Sequence, residues 1–137
     1  MMNIFTYFYI VLIVNFLQLG FMTSTVGQDE DVIASARTAI KQGNAKNLSS
    51  YFNELVELNF DDEKSSYSKT QAEFVLKEFF KKYPAKDFRY IHKGASKEGL
   101  LYAIGKYTYE GGSFRVYILV KQMNGKYIID TIDFGED

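Results

Sequence analysis

The chain has 137 residues, a formal net charge of −1 and no cysteine. This length fits one domain, and the absence of cysteine excludes disulfides, thiolate metal sites and an acylated cysteine. Its 16 basic and 17 acidic residues are interspersed, which argues against a nucleic-acid groove or a patch for anionic membranes. Because there is only one histidine as well, we expect no metal site and no cofactor.

The first 27 residues carry no charged side chain, and the run from Ile4 to Leu19 is almost wholly apolar. Small and polar residues follow at 23–27, which is typical of a secretory signal peptide. The alternative is an uncleaved membrane anchor, since about 20 apolar residues can span a bilayer. We expect an exported protein, periplasmic or secreted, with a signal peptide at residues 1–27 and one domain at 28–137. Contact with a membrane is expected only through the N-terminal segment, if it is retained.

Helical periodicity dominates the beginning of that domain. Apolar residues spaced by one, three and four positions predict a helix at Asp29–Gln42, which ends at Gly43-Asn44. A short second helix is predicted at Ala45–Phe52. Both helices have one apolar side, so both are expected to cover a sheet.

A strand and a third helix follow. Strict alternation at Leu55–Phe60 predicts a strand with one buried face, and the charged stretch Asp61–Ser66 is interpreted as a solvated loop. Ser68 and Gln71 have the spacing of a capping box. They open a predicted helix at Lys69–Lys82, which the only proline of the chain stops shortly afterwards.

The rest of the chain is rich in strands. Asp87–Lys93 is predicted to be a strand, and Gly99–Phe134 holds three alternating apolar runs. The pairs Gly111-Gly112 and Asn124-Gly125 separate these runs and are two-residue hairpin signals. The stretch Gly99–Phe134 is therefore predicted to be a three-stranded antiparallel meander.

Two-residue loops fix a register, so the pattern also predicts which side chains meet. One face is apolar in its middle and is assigned to the helices. Its predicted pairs are Tyr109–Phe114, Tyr107–Val116, Gly105–Ile118, Ala103–Val120, Val120–Ile129, Ile118–Thr131 and Val116–Asp133. The opposite face is mixed in character, and Asp130 is expected to pair there with Lys121.

Asp133 is the unusual residue of the predicted inner face. A buried carboxylate is costly unless it is hydrogen-bonded, and burial raises its pKa, so Asp133 is a candidate general base. The alternative is a solvated residue at the rim of the sheet. The single histidine, His92, is predicted to point inward opposite Leu101, at the other end of the sheet from Asp133, so these two side chains form no dyad.

Aromatic residues are abundant, with 11 tyrosines and 12 phenylalanines. Buried tyrosine hydroxyls need hydrogen-bond partners, and tyrosines on the inner face either belong to the core or line a pocket for a small molecule. The candidate ligand-binding residues are Tyr90, Tyr107, Tyr109, Thr131 and Asp133.

The order of elements and three sequence strings carry a resemblance to known proteins. The strings are DVIASARTAIKQGNAKNLSSYF, YSKTQAEFVLKEFF and GSFRVYILVKQMNGKYIIDTIDF. The chain resembles the 4783 family of domains of unknown function, within the nuclear transport factor 2-like, cystatin-like superfamily. This resemblance implies an α+β cone, in which two or three N-terminal helices pack on a curved antiparallel sheet of four to five strands.

The resemblance implies no single activity, because the superfamily holds isomerases and dehydratases as well as binding modules. The sequence favours an exported non-enzymatic domain that binds a small hydrophobic ligand or a protein partner. The alternative is a small-molecule lyase or isomerase with Asp133 as general base and Tyr107 or Tyr109 as hydrogen-bond donor. The resemblance also suggests a homodimer through the outer sheet face, with a patch at Tyr102, Ile104, Tyr117, Leu119 and Ile132.

Overall fold

The structure is a computed structural model that describes residues 28–137. The predicted signal peptide lies outside the described residues. The elements of the described part are α1 (Gln28–Gln42), α2 (Ala45–Ser49), β1 (Phe52–Phe60), β2 (Glu63–Ser68), α3 (Lys69–Lys82), β3 (Asp87–Ala95), β4 (Leu101–Tyr109), β5 (Gly112–Met123) and β6 (Lys126–Glu136). Within residues 28–137, no helix combines the length and the apolar character needed to cross a membrane.

The strands form one curved sheet in the order β2-β1-β6-β5-β4-β3. Neighbouring strands are antiparallel except for β1 and β6, which run parallel. The predicted α+β architecture with helices on a curved sheet is confirmed. The prediction of four or five antiparallel strands is wrong in its details, because the described sheet has six strands and is mixed. Pairing between strands so far apart in the chain leaves no local pattern in the sequence.

The additional strand is β2. The stretch Asp61–Ser66 is predicted to be a loop, but Asp61 and Asp62 form a tight turn that pairs Phe60 with Glu63. Asp61 has a φ of 54°, a left-handed conformation that Asp tolerates better than most residues. Most side chains of β2 are exposed at the sheet edge, so the strand lacks the buried alternation by which strands are recognised.

The third helix begins and ends as predicted. The Gln71 backbone N–H donates to Ser68 Oγ at 3.3 Å, and the Ser68 N–H donates to Gln71 Oε1 at 3.2 Å, so the capping box is confirmed. The helices cover one face of the sheet, which we call the inner face, and enclose a core with it. Large fully buried residues of this core include Ile40, Leu48, Leu58, Leu76, Tyr107, Ile118 and Ile129.

The hairpin between β4 and β5 is shifted by two residues from the predicted register. Its loop is Glu110-Gly111, so Tyr109 pairs with Gly112 and Tyr107 with Phe114. The Tyr109 ring lies close to the strand there: a Cβ added to Gly112 would come within 3.3 Å of its hydroxyl oxygen. Because a shift of two residues keeps each side chain on its face, Tyr107 and Tyr109 still belong to the inner face.

The hairpin between β5 and β6 follows the predicted register only as far as the pair Val120–Ile129. The next pair is Leu119 with Thr131, so β6 contains one extra residue, Asp130, at this point. An extra residue of this kind is a β-bulge, and it reverses the faces of the residues that follow it.

The bulge at Asp130 exchanges the predicted faces of the end of β6. Ile132 and Phe134 are 0% and 1% exposed and belong to the core. Thr131 and Asp133 pair with β5 and β1 on the opposite face, which we call the outer face. The prediction that Thr131 and Asp133 lie on the inner face is therefore wrong, as is the assignment of Ile132 to an outer patch.

His92 is also displaced from its predicted face. The register of β3 shifts at Ile91, and His92 pairs with Ile104 rather than facing Leu101. It is exposed on the outer face, where its Nε2 atom lies 3.1 Å from the Tyr102 hydroxyl oxygen. The cause is the same as in β6, a local irregularity that changes which face a strand residue occupies.

Candidate functional site

A groove of about 380 Å³ lies between α3 and one end of the sheet. Its walls come from α3, from the ends of β1 and β6 and from the beginning of β5. Most of its side chains are apolar or aromatic, and we call it the aromatic groove. It is lined by Phe60, Asp61, Val75, Glu78, Phe79, Lys82, Tyr83, Phe114 and Phe134.

Phe79 of α3 is the central ring of this groove. Its centroid lies 4.4 Å from that of Phe134, 5.1 Å from that of Phe60 and 5.4 Å from that of Phe114. Phe60 and Phe134 are direct partners in the parallel pair of β1 and β6, and their rings stack at 5.5 Å. Such distances are typical of attractive aromatic pairs. Because Phe134 follows the bulge of β6, that bulge is what supplies one wall of the groove.

Tyr107 lies beneath the groove and is fully buried. Its ring centroid is 5.9 Å from that of Phe79 and 6.3 Å from that of Phe134. The Tyr107 hydroxyl donates to the backbone carbonyl of Tyr83, the residue that follows α3. Burial raises the pKa of Tyr107 to about 12, so at neutral pH this side chain is an uncharged hydrogen-bond donor.

The charged side chains of the groove are at its solvent edge. Asp61, Glu78 and Lys82 are all exposed. The Lys82 Nζ atom lies 5.2 Å from the centroid of the Tyr83 ring, within the range of a cation–π contact. None of the described residues that line the groove is a histidine, serine or threonine. The arrangement therefore offers apolar contact inside and charged groups at the rim.

None of the three predicted tyrosines lines the groove, but two of them pack against residues that do. The Tyr109 ring stacks on Phe114 at 4.9 Å and meets Tyr83 edge-on at 5.0 Å, so it borders the groove wall. The Tyr90 hydroxyl instead donates to the backbone carbonyl of Ile33 at 2.6 Å and joins β3 to α1. Burial raises the pKa of Tyr90 above its ordinary value. Tyr90 packs against the core, and its hydroxyl is hydrogen-bonded there.

Thr131 and Asp133 are separated from the groove by the sheet. Asp133 lies in one row of the outer face with Tyr117, Ile104 and His92. Three strand spacings, about 14 Å in all, separate Asp133 from His92. The two side chains form no dyad, although they lie level with each other and not at opposite ends of the sheet as predicted. The predicted ion pair between Lys121 and Asp130 is confirmed, with Nζ and Oδ2 3.0 Å apart.

Sequence reasoning missed the phenylalanines of the groove, and one signal could have found Phe134. The apolar residues of β6 that reach the core are Tyr127, Ile129, Ile132 and Phe134. Successive residues of this series are two, three and two positions apart. A spacing of three inside an alternating strand indicates a bulge. It would have placed Phe134 inward and Asp133 outward.

Other polar features of the described residues give no clear site. A second cavity of about 460 Å³ has a polar lining at the junction of α1 and α2, beside α3: Gln42, Gly43, Asn44, Ala45, Lys46, Glu73 and Lys77. Between residues 28 and 137, no three histidine or carboxylate side chains are grouped so that they could hold a metal ion.

Comparison with known proteins gives a family match and several structural matches. The family model described as "Domain of unknown function (DUF4783)" matches residues 33–135. The crystal structure of a DUF4783 family protein from Bacteroides ovatus is similar, with a TM-score of 0.72 and 29% identity over 76% of this chain and 94% of that chain. No curated protein matches the chain in sequence.

Two more distant structures are similar in fold alone. An NTF2-like protein of unknown function from Shewanella baltica has a TM-score of 0.60 and 11% identity, covering 78% of this chain and 89% of that chain. A protein of unknown function with a cystatin-like fold from Nostoc punctiforme has a TM-score of 0.64 and 12% identity, covering 80% of this chain and 89% of that chain. The predicted nuclear transport factor 2-like, cystatin-like fold is thereby confirmed.

Proposed function

The chain belongs to the DUF4783 family of domains of unknown function, and we propose that its aromatic groove binds a small hydrophobic ligand without catalysis. The observation that carries the proposal is the groove itself. Its volume of about 380 Å³ falls within the usual range of small-molecule sites, roughly 300–1,000 Å³. Its interior consists of aromatic rings, and burial of apolar surface supplies most of the affinity in such sites.

The chemistry of the lining favours a flat or aromatic ligand. Phe60, Phe79 and Phe114 line the groove and are only partly buried, so another ring can stack on them or meet them edge-on. The exposed charges of Asp61 and Lys82 lie at the rim, where a polar end of the ligand would stay in contact with water. The proposal is for binding through shape and apolar contact.

The lyase or isomerase alternative has less support. It requires a carboxylate and a tyrosine hydroxyl that converge on one substrate. Asp133 is on the outer face, whereas Tyr107 is buried on the inner face and its hydroxyl is already bonded to the Tyr83 carbonyl. A substrate in the aromatic groove could not reach Asp133.

A pair of tryptophan substitutions on α3 tests ligand binding. Val75 lines the groove, whereas Phe74 is 65% exposed and does not line it. Val75→Trp should fill the groove and abolish binding of a probe such as 2-naphthol, followed by shifts of backbone amide NMR signals. Phe74→Trp should leave those shifts as in the wild type. Signals that do not move in the wild type, or that move equally in Val75→Trp, would contradict the proposal.

A second candidate function is self-association through the outer face. Tyr102, Ile104, Tyr117 and Leu119 are only partly buried and lie in two adjacent rows of that face. The Tyr102 and Tyr117 rings stack with their centroids 6.4 Å apart. Sedimentation of the wild type and of Leu119→Lys is the test: a dimer that the added charge dissociates supports the idea, and a wild-type monomer excludes it at the concentration used.

Export remains a proposal that rests on the sequence of residues 1–27. The uncharged apolar run there is typical of a signal peptide. N-terminal sequencing of the protein recovered from the growth medium or periplasm tests it. A new N-terminus close to residue 28 supports export with cleavage, while recovery of an intact chain in the membrane fraction supports the anchor alternative.

A further inference from the structure

Three basic residues lie side by side across the outer face. Arg89 of β3 pairs with Lys106 of β4, and Lys106 pairs with Arg115 of β5. The neighbours of each along its strand include side chains of the core or packed against it, so all three point outward. The row continues on β6 at Gly135, which has no side chain. We call Arg89, Lys106 and Arg115 the basic row.

The basic row is partly neutralised by a carboxylate of the same chain. Asp137 Oδ2 lies 2.8 Å from Lys106 Nζ and accepts a hydrogen bond from Ser113 Oγ at 2.8 Å. The hydrogen bonds from Lys106 and Ser113, with the nearby charge of Arg115, lower the pKa of Asp137. The row therefore already holds one aspartate carboxylate, on its central residue.

The two arginines at the ends of the row have no such partner. Arg89 and Arg115 are exposed, and neither forms an ion pair with another residue of the part of the chain that the structure describes. Asp87, two positions before Arg89, pairs with Lys41 on α1 at 3.7 Å. Like charges that face each other across strands destabilise a sheet. A row of three cations with one carboxylate is therefore an arrangement that further negative charge would stabilise.

We infer that the basic row binds an acidic peptide segment of a partner protein. Arg89 and Arg115 are two strand spacings, about 10 Å, apart. A single phosphate ion is too small to bridge them without displacing Asp137 from between them. Alternate residues of an extended peptide place carboxylates about 7 Å apart on one side, which lets two of them reach the two guanidinium groups. Arginine recognises carboxylates with paired N–H donors.

Carboxylates of the chain lie near both ends of the basic row. At the β6 end, Asp133 Oδ1 would lie 3.9 Å from a Cβ added to Gly135. At the β3 end, Asp87 is two positions before Arg89 and is engaged with Lys41. The peptide accordingly lies across the strands, with its carboxylates at Arg89 and Arg115.

Fluorescence anisotropy of the purified protein with a labelled six-residue glutamate peptide, at low ionic strength, tests this site. Arg89→Gln and Arg115→Gln should each weaken binding about fivefold, the upper range for one exposed charge pair. Arg89→Lys keeps the positive charge and should lose less affinity for the peptide than Arg89→Gln does. Arg37→Gln, an exposed change on α1, is the matched control and should bind as the wild type does. Asp137→Asn should tighten binding, because it removes the competing carboxylate.

The inference is overturned by no anisotropy change with the wild type, by an equal loss in Arg37→Gln, by unchanged binding in both end-arginine variants, or by weaker binding in Asp137→Asn. A glutamine peptide of the same length that binds as well would show that charge is irrelevant. Inorganic phosphate that competes as strongly as the peptide would assign a simple ion site. If Arg89→Gln and Arg115→Gln change the sedimentation of the protein without peptide, the row faces a second copy of the chain and the peptide assignment is wrong.

Discussion

The Tyr107 hydroxyl donates to the backbone carbonyl of Tyr83, so a fully buried residue of β4 satisfies a carbonyl just past the end of α3. Carbonyls at the C-terminal ends of helices lack partners within the helix and need one from elsewhere. The same bond fixes Tyr83 as one wall of the aromatic groove. The fold of the core and the shape of the candidate site are thus joined through one hydrogen bond.

Removal of this bond should destabilise the protein. Tyr107→Phe keeps the ring but leaves the Tyr83 carbonyl without its donor, and we expect the free energy of unfolding to fall by about 1 kcal/mol. Urea denaturation measures the change. The Tyr109 hydroxyl makes no hydrogen bond with the described residues, so Tyr109→Phe is the matched control and should change stability by less. Equal effects of the two substitutions would argue that the bond to Tyr83 contributes nothing.

Stability should fall in alkaline solution because two buried tyrosines have a higher pKa in the folded state than in the unfolded state. Burial raises the pKa of Tyr107 from 10.0 to about 12 and raises that of Tyr90 as well. Between pH 10 and 12 the folded state therefore keeps protons that the unfolded state has lost, and the free energy of unfolding decreases as the pH rises. Each buried tyrosine contributes a slope of at most about 1.4 kcal/mol per pH unit.

Urea denaturation at a series of pH values measures this slope. The contribution of the two tyrosines is fully present below pH 10 and is lost as the pH passes through the raised values. Tyr107→Phe removes one titrating group and should make the decline shallower, as should Tyr90→Phe. A stability curve with the same slope in the wild type and in both variants would contradict the assignment.

Substitutions at two adjacent residues of β6 are expected to change the free energy of unfolding by very different amounts. Ile132 is fully buried, so Ile132→Ala should lower the free energy of unfolding by about 2–4 kcal/mol through lost contact and a cavity. Asp133 is on the outer face, and Asp133→Ala should change stability by no more than about 0.5 kcal/mol. Denaturation of both variants tests the bulge, because an unbroken strand register would reverse the order.

Gly105 is expected to tolerate no side chain. A Cβ there would lie 2.6 Å from the Phe88 ring and 2.9 Å from the backbone carbonyl oxygen of Arg89. Since the backbone cannot give way easily, Gly105→Ala should cost about 1–3 kcal/mol. At Gly135 the nearest such atom is Asp133 Oδ1 at 3.9 Å, so Gly135→Ala is a strand control with little expected effect. Thermal unfolding compares the two, and a stable Gly105→Ala protein would show that Phe88 can move aside.

Local patterns predicted most of the fold. The capping residues Ser68 and Gln71 located the start of α3, and the alternation after Gly99 predicted the meander of β4, β5 and β6. These signals depend on neighbours in the sequence, where period and capping chemistry act directly. The bounds of α1 and α3 and the faces of β4 and β5 were therefore accessible without a structure, whereas α2 ends at Ser49 and not at Phe52 as predicted.

The candidate site was less accessible because it depends on two features with weak local signals. One is the bulge at Asp130, which changes the face of Asp133 and Phe134. The other is the parallel pairing that sets Phe60 beside Phe134. Register errors of one residue move whole sets of side chains to the other face, and long-range pairing follows from packing of the complete core. Tyr107 and Tyr109 lie on their predicted face because a shift of two residues leaves the face unchanged.

The position of β6 between β1 and β5 has a consequence for how the chain folds. β6 comes last among the described elements but lies in the interior of the sheet, so β1 and β2 gain their only described connection to the other strands through it. Pairing over so long a separation requires closure of a long loop, and the entropy of closure is lost before any stabilising contact forms. This slows folding. Until β6 pairs, β1 with β2 and β3 with β4 and β5 can form only two separate sheets with open edges. Completion of the core is thus a late event for this protein.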